Sequence, residues 1–253
     1  TEGSQKTVAG TAAIRKMSRI WNPWHGCHRV SEGCANCYVF RIDGGHGHNA
    51  EEVRVNSDFL LPLRHGRDGA WKIKEGETLY TCFTSDFLLP EADEWRADVW
   101  RMIHMRQDLH FVFFTKRIER FSDCLPADWG DGYPNVTVGC TCENQKRADF
   151  RLPIFLALPI RERIIVCEPL LESVNLRPYL NPGLVREVTV GGESGEHARI
   201  CDFEWVRDIS RACRETGVRF CYHQTGALLR RDGTVYRIPR EKQQAQAQRA
   251  EKL

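Results

Sequence analysis

The feature that most constrains the fold is a repeated alternation of short apolar runs with helix-like segments. The runs are rich in β-branched and aromatic residues, and they span residues 19–24, 78–84, 110–115, 135–141, 163–167, 186–191 and 218–222. Two of the intervening segments, 91–106 and 203–215, repeat apolar residues every three or four positions, and Asp202 is placed to cap the second one. This alternation is typical of parallel βα units and predicts an α/β fold.

Seven strands favour a TIM-like (β/α) barrel, or a partial barrel, over an open doubly wound sheet. A hydrophobic content of 42% in 253 residues suffices for one large domain, which we place at residues 19–239. We expect residues 1–18 to form a disordered N-terminal segment. Residues 240–253 have no apolar stripe and are expected to be a frayed polar helix or a disordered tail.

Six consecutive strand ends carry polar or charged side chains, which is where a barrel places its functional residues. They are Ser85 and Asp86, Lys116 and Arg117, Glu143 and Asn144, Glu168, the turn of Gly191, Gly192, Glu193 and Ser194, and the pair of His223 and Gln224. Caps and turns alone explain many such residues. The three glutamates are poor turn formers, however, and carboxylates that converge on one rim need cations or a ligand amine as partners. The pattern therefore predicts a binding site.

The 11 cysteines include one tight group, Cys27, Cys34 and Cys37, with six residues in the first gap and two in the second. The chain shows neither the apolar core of a secretory signal nor a run of about 18 apolar residues that would span a membrane. We therefore expect a cytoplasmic protein without membrane contact. In a reducing compartment, clustered thiols are more often metal ligands than disulfides.

Three interpretations of this cysteine group stay open. A four-iron four-sulfur cluster held by three thiolates leaves one iron open to a substrate or cofactor, and the position after the first strand favours it. A structural zinc site needs a fourth ligand, for which the candidates are His25, His28, His46 and His48. The third interpretation is that the thiols only pack as small apolar groups.

Other features carry less functional weight. Cys140 and Cys142 alternate along a predicted strand and are expected to pack as valines would. The glycine-histidine stretch 44–48 is expected to be a flexible loop with incidental histidines. The 36 Lys and Arg nearly balance the 34 Asp and Glu, so only local basic patches, at residues 64–67 and at Arg230 and Arg231 with Arg237 and Arg240, are placed to touch phosphates.

An ordered series of motifs resembles a known family. The segments are GCHRVSEGCANCY, TSDF at 84–87, TKR at 115–117, TCENQ at 141–145, CEPLL at 167–171, GGESG at 191–195 with Arg199, and HQTG at 223–226. Over roughly residues 20 to 240 the chain resembles the three-Cys-motif phage protein family, of the type of phage gene products thirty-seven and sixty-eight, which is grouped with radical S-adenosylmethionine (SAM) enzymes. It departs from the usual pattern in its wider first cysteine gap, in having Ser85-Asp86 in place of a glycine-glycine-glutamate motif, and in having His223 where many relatives have lysine.

The resemblance implies a barrel of the radical SAM type in which Cys27, Cys34 and Cys37 hold a four-iron four-sulfur cluster. SAM would chelate the open iron, and one electron from a donor such as flavodoxin or ferredoxin would cleave it to a 5′-deoxyadenosyl radical. The implied substrate class is modified DNA or a nucleotide, with an isomerase acting on hypermodified thymine in the cytoplasm of an infected or host bacterial cell. The alternative from another class is a zinc-stabilised nucleic-acid-binding or interaction module without catalysis.

Chemical logic then gives the rim residues provisional roles around SAM. Tyr38 would meet the adenine, Ser85 and Asp86 would accept from the amine, and Lys116 or Arg117 would meet the carboxylate. For Lys116 and Arg117, a solvated loop pair is an equal alternative. Glu143 and Asn144 suit the ribose hydroxyls, and the pocket would be completed by Glu168, Gly191, Gly192, Glu193, Ser194 and Gln224.

Overall fold

The computed structural model describes residues 18–251. The strands in this part of the chain are β1 (Ser18–Trp21), β2 (Trp24–His25), β3 (Arg54–Val55), β4 (Thr78–Thr81), β5 (His110–Thr115), β6 (Val136–Thr141), β7 (Glu162–Cys167), β8 (Glu187–Gly191), β9 (Cys201–Asp202), β10 (Arg219–Gln224), β11 (Leu228–Arg231) and β12 (Thr234–Arg237). The helices are α1 (Tyr38–Gly45), α2 (Asp93–Met105), α3 (Gln145–Ala157), α4 (Phe203–Thr216) and α5 (Arg240–Ala250). None of these helices is long and apolar enough to cross a membrane.

One seven-stranded sheet organises the domain, in the order β1-β4-β5-β6-β7-β8-β10. Every neighbouring pair in it is parallel, and the spatial order follows the chain order. The sheet curls into a half-barrel, which confirms the predicted α/β fold and agrees with a partial barrel. All seven predicted runs contribute a strand to this sheet, and its C-terminal ends form one rim.

Local sequence explains why these elements form. All six residues of β6 are buried, as a strand covered on both faces requires, and Cys140 and Cys142 lie in the apolar core as predicted. Helix α4 begins where the side chain of Asp202 accepts a hydrogen bond from the backbone N–H of Glu204. It ends at Thr216, and the next residue, Gly217, has a φ of 77°, the left-handed conformation that favours glycine.

Three local predictions differ from the structure. The first run splits, because Pro23 has no N–H to donate, so that β1 ends at Trp21 and β2 pairs with β3 instead. The second run leaves the sheet after Thr81, where Cys82 adopts a φ of 62°. The expected glycine-histidine loop is in part helical: α1 continues to Gly45 because the N–H of His46 still finds helix carbonyls.

The remaining predictions concern the two ends of the chain. Residues 1–17 of the predicted disordered segment lie outside the described residues. The C-terminal tail is an ordered helix, α5, which packs against β10 and buries Gln243 and Ala247. These two residues are four positions apart and therefore share one face, which is too narrow to register as an apolar stripe. The domain consequently extends past residue 239.

Candidate functional site

The three cysteines belong to a loop, residues 26–37, which we call the cysteine loop and which lies across the C-terminal rim of the sheet. Its start is attached to the segment that follows β4, the second strand of the sheet. The N–H of Gly26 donates to the carbonyl of Thr84 at 3.2 Å, and Ser85 Oγ donates to the carbonyl of Gly26 at 2.5 Å. Ser85, predicted to meet the SAM amine, thus holds the loop in place.

Asp86 and Arg117 attach the loop at a second point. The buried carboxylate of Asp86 accepts from Thr115 Oγ1 at 2.7 Å, from the N–H of Lys116 at 2.9 Å and from Arg117 Nη1 at 3.3 Å. The same guanidinium donates through Nη2 to the carbonyl of His28 at 2.7 Å and lies 3.8 Å from the Sγ of Cys27. Arg117 is therefore a buried link between two strand ends and the first cysteine, and not a solvated loop residue.

Glu143 attaches the middle of the loop. Its Oε1 accepts from the N–H of Gly33 at 3.3 Å, and its Oε2 lies 2.7 Å from Arg151 Nη1. Burial acts to raise the pKa of this carboxyl, but Arg151, with Ser31 and Lys116, outweighs burial and lowers it. Glu143 is thus held as a carboxylate beneath the cysteine loop, with both oxygens engaged.

Glu193 attaches the end of the loop. Its Oε2 accepts from Asn36 Nδ2 at 2.9 Å and from the N–H and Nε of Arg199 at 2.8 and 3.0 Å. Asn36 also donates to the carbonyl of His197 at 2.8 Å, which ties the loop to the segment after β8. Burial raises the pKa of Glu193, but the hydrogen bonds from Arg199 and Asn36 outweigh burial and lower this pKa overall.

Glu168, His223 and Gln224 form a separate group at the rim. His223 Nδ1 lies 2.9 Å from Glu168 Oε2, and Gln224 Nε2 donates to Glu168 Oε1. Burial raises the pKa of the Tyr38 phenol to about 12, and the charges of Cys37 and Glu168 add to this effect. The Tyr38 hydroxyl donates to the carbonyl of Phe83. Glu168 and Gln224, two predicted cofactor residues, are thus hydrogen-bonded to each other at this part of the rim.

The predicted glycine turn serves packing between protein segments. A Cβ on Gly191 would lie 2.6 Å from Cδ of Glu168, and one on Gly192 would lie 2.2 Å from the carbonyl oxygen of Thr225. The glycines were expected to admit a cofactor, and here they admit a glutamate side chain and a neighbouring turn. Asn144 caps α3 through its Oδ1, which accepts from the N–H of Arg147 at 2.9 Å.

The three thiols are free, and they occupy different environments. Burial and the neighbouring Asp86 raise the pKa of Cys27 to about 11, against the opposing effect of Arg117. Cys34 is buried with its Sγ 3.8 Å from Ser31 Oγ, and Cys37 precedes α1 as its N-cap residue. Among residues 18–251, no group of three or more His, Cys, Asp and Glu side chains is arranged to hold a metal ion.

Two candidate zinc histidines already have carboxylate partners. His25 Nε2 lies 2.7 Å from Asp43 Oδ2, and His28 Nε2 lies 2.8 Å from Glu91 Oε1. Either imidazole would have to leave its partner before it could join the thiols as a fourth ligand. The remaining candidates, His46 and His48, are exposed at and beyond the end of α1.

Sequence reasoning missed Arg151 and Asn36 as partners of the rim carboxylates. A signal existed for Arg151, because it shares a helix face with the buried residues Ala148, Leu152 and Phe155 at helical spacing. A single arginine within an apolar stripe indicates a buried ion pair. Asn36 carried no such signal, since it lies in a polar loop and its partner is 157 positions away.

The fold and the rim together define an α/β half-barrel whose strand ends carry a three-cysteine loop. A family model with the description "Protein of unknown function (DUF5131)" matches residues 11–252, and the chain belongs to this family. Neither the comparison with curated proteins nor the comparison with solved structures found a match.

Proposed function

We propose that this protein is a radical SAM enzyme in which Cys27, Cys34 and Cys37 bind a four-iron four-sulfur cluster. The single observation that carries the proposal is the seat of the cysteine loop on the C-terminal rim, where β/α barrels carry their active sites. Three side chains hold different parts of that loop: Arg117, which is paired with Asp86, then Glu143 and Glu193. A loop that served only as a surface turn would not need hydrogen bonds with three buried charged side chains.

The donor set fits such a cluster. Three free thiols lie on one loop, and the two nearest histidines in the sequence are paired with carboxylates. Each thiolate of a cubane binds a different iron, so its ligands need not converge on one point as zinc ligands do. When bound, the cluster would supply the electron that cleaves SAM to a 5′-deoxyadenosyl radical.

The chain's own residues would prepare this site. Arg117 places a positive charge 3.8 Å from the Cys27 sulfur, which lowers the pKa of this thiol against the larger raising effects of burial and Asp86. The curled sheet beneath the loop would exclude water from the reacting centre. Glu168, whose charge acts on Tyr38, forms with His223 and Gln224 a polar group that would offer hydrogen-bonding atoms to SAM.

The proposed substrate is a modified nucleobase in DNA or in a nucleotide, by the resemblance to the phage family, and the proposed reaction is an isomerisation. The electron donor would be a flavodoxin or a ferredoxin. A zinc-stabilised binding module is the alternative from another class, and it predicts a colourless protein that leaves SAM intact.

The test is anaerobic reconstitution of the whole chain with iron and sulfide. We expect iron-sulfur absorption, and 5′-deoxyadenosine after reduction in the presence of SAM. Cys34→Ala should abolish cluster binding, because it removes one of three ligands. Cys140→Val is the matched control, since Cys140 is fully buried in the core and should leave the cluster intact.

Two outcomes would refute the proposal. One is a stable protein that holds zinc alone and does not cleave SAM. The other is equal iron loss in both cysteine variants, which would mean that cluster binding does not depend on the cysteine loop.

A further inference from the structure

A cleft of about 280 Å³ opens directly beside Cys37, between the cysteine loop, α1 and the segment that follows β8. Its lining includes Arg29, Arg41, Ser194, Glu196 and His197. Two arginines and one glutamate therefore line the same concave surface. Neither arginine has a role in the function proposed for the cysteine loop.

Arg29 is held in the cleft by an aromatic ring. Its guanidinium carbon lies 3.6 Å from the ring centroid of Phe40, which is stacking distance. Its nearest acidic partner, Glu51, is 3.8 Å away, so the ion pair is loose. A guanidinium stacked on a ring keeps its N–H groups in the ring-parallel plane, where they remain able to donate to a ligand.

The guanidinium of Arg41 lies close to Gly195. Gly195 has a φ of +108°, and a Cβ there would lie 3.2 Å from Arg41 Nε, so the guanidinium packs against the bare backbone. Within residues 18–251, Arg41 forms no ion pair, whereas Arg117, Arg151 and Arg199 each bind a carboxylate. An unpaired arginine in a cleft retains its full capacity to bind an anion.

We propose that this cleft binds a phosphate group of the substrate, through Arg29 and Arg41, with the Ser194 hydroxyl and His197 as further donors. Two guanidiniums from separate segments suit the several oxygens of a phosphate, which each can bind in a bidentate manner. The cleft would position a nucleotide, free or within a DNA strand, with its base directed towards the cysteine loop. The nucleotide nature of the substrate rests on the proposed function, whereas the anion site rests on the cleft alone.

The test uses the reconstituted whole chain and a short fluorescein-labelled single strand of DNA, with binding followed by fluorescence anisotropy at several salt concentrations. Arg29→Gln and Arg41→Gln should each weaken binding several-fold. Each should also reduce the slope of log affinity against log salt by about 0.7, the value for one phosphate contact on a single strand. Unlabelled DNA and thymidine monophosphate serve as competitors. Equal competition by the mononucleotide would assign the phosphate to a free nucleotide, and competition by DNA alone would assign it to a strand.

Arg214→Gln is the matched control, because Arg214 is an exposed arginine in the last turn of α4. That turn lies at the opposite end of the sheet from the rim, since a helix after a parallel strand runs back along it.

The inference is overturned if both cleft variants bind DNA and nucleotide as the wild type does, or if Arg214→Gln weakens binding equally. It is also overturned if the cleft variants raise only the KM for SAM. A wild type that fails to cleave SAM, while the cleft variants still lose DNA binding, would refute the enzyme proposal and leave the phosphate site standing.

Discussion

Arg151 and Glu143 form an ion pair whose side chains are 2% and 0% exposed, with Nη1 and Oε2 2.7 Å apart. The pair lies under the cysteine loop, because the second oxygen of Glu143 accepts from the N–H of Gly33. Arg151 Nη1 also donates to the carbonyl of Thr141 at 2.7 Å, at the end of β6. One buried pair thus joins a helix, a strand end and the loop.

The first prediction concerns that pair. Arg151→Met should destabilise the fold by about 3–5 kcal/mol, because it leaves the Glu143 carboxylate buried without its cation. Urea unfolding followed by circular dichroism measures this change. Arg207→Gln breaks the exposed pair with Glu204 and should cost under about 1 kcal/mol. Similar losses in the two variants would contradict the view that burial makes the Glu143 pair critical.

The second prediction concerns the close approach at Gly192. Gly192→Ala would place a Cβ 2.2 Å from the carbonyl oxygen of Thr225, so backbone must move at a cost of about 1–3 kcal/mol. Gly44→Ala is the control, since nothing lies within 4 Å of its added Cβ and the site is helical. It should leave stability unchanged or raise it by about 0.5–1 kcal/mol. Thermal unfolding distinguishes the two, and an unaffected Gly192→Ala protein would refute the steric argument.

The third prediction concerns the link from Arg117 to the first cysteine. Arg117→Lys should load the cluster but lose iron faster to a chelator, because one ammonium cannot reach both Asp86 and the carbonyl of His28. Iron released over time at a fixed chelator concentration is the measurement. Arg120→Lys changes a nearby arginine that contacts Asp93 and not the cysteine loop, and should release iron as the wild type does. Identical release from both variants would count against a role for Arg117 in the loop.

The fourth prediction concerns acid stability. Because the folded-state pKa of Glu193 is lowered from 4.5, its carboxylate stabilises the fold above that value. This stabilisation is lost as the pH falls below 4.5 and through the lowered folded-state pKa. Glu193→Gln should therefore be less stable at neutral pH and show a weaker loss of stability in acid. Urea midpoints across this pH range test the prediction, and a variant with the wild-type pH slope would exclude Glu193 as a contributor.

Local patterns predicted much of the fold. The period of the apolar residues predicted α4, and Asp202 was expected to cap it, because both depend on neighbours within a few positions. The seven β-rich runs predicted a parallel sheet, because strands separated by helices cannot pair as hairpins. The packing of α5 was not predicted, because only Gln243 and Ala247 are buried on this helix. Two such residues do not form an apolar stripe in the sequence.

The candidate site divides in the same way. The sequence alone determined that three cysteines share one loop and that carboxylates follow the strands, because residue type and spacing are local properties. The tertiary structure decided which partner each carboxylate takes: Glu143 meets Gly33 across 110 positions, and Glu193 meets Asn36 across 157. Such pairs depend on how strongly the sheet curls and where the loop crosses its rim. Both depend on the packing of the whole domain. The two residues of each pair are more than 100 positions apart, so no local sequence pattern contains both of them.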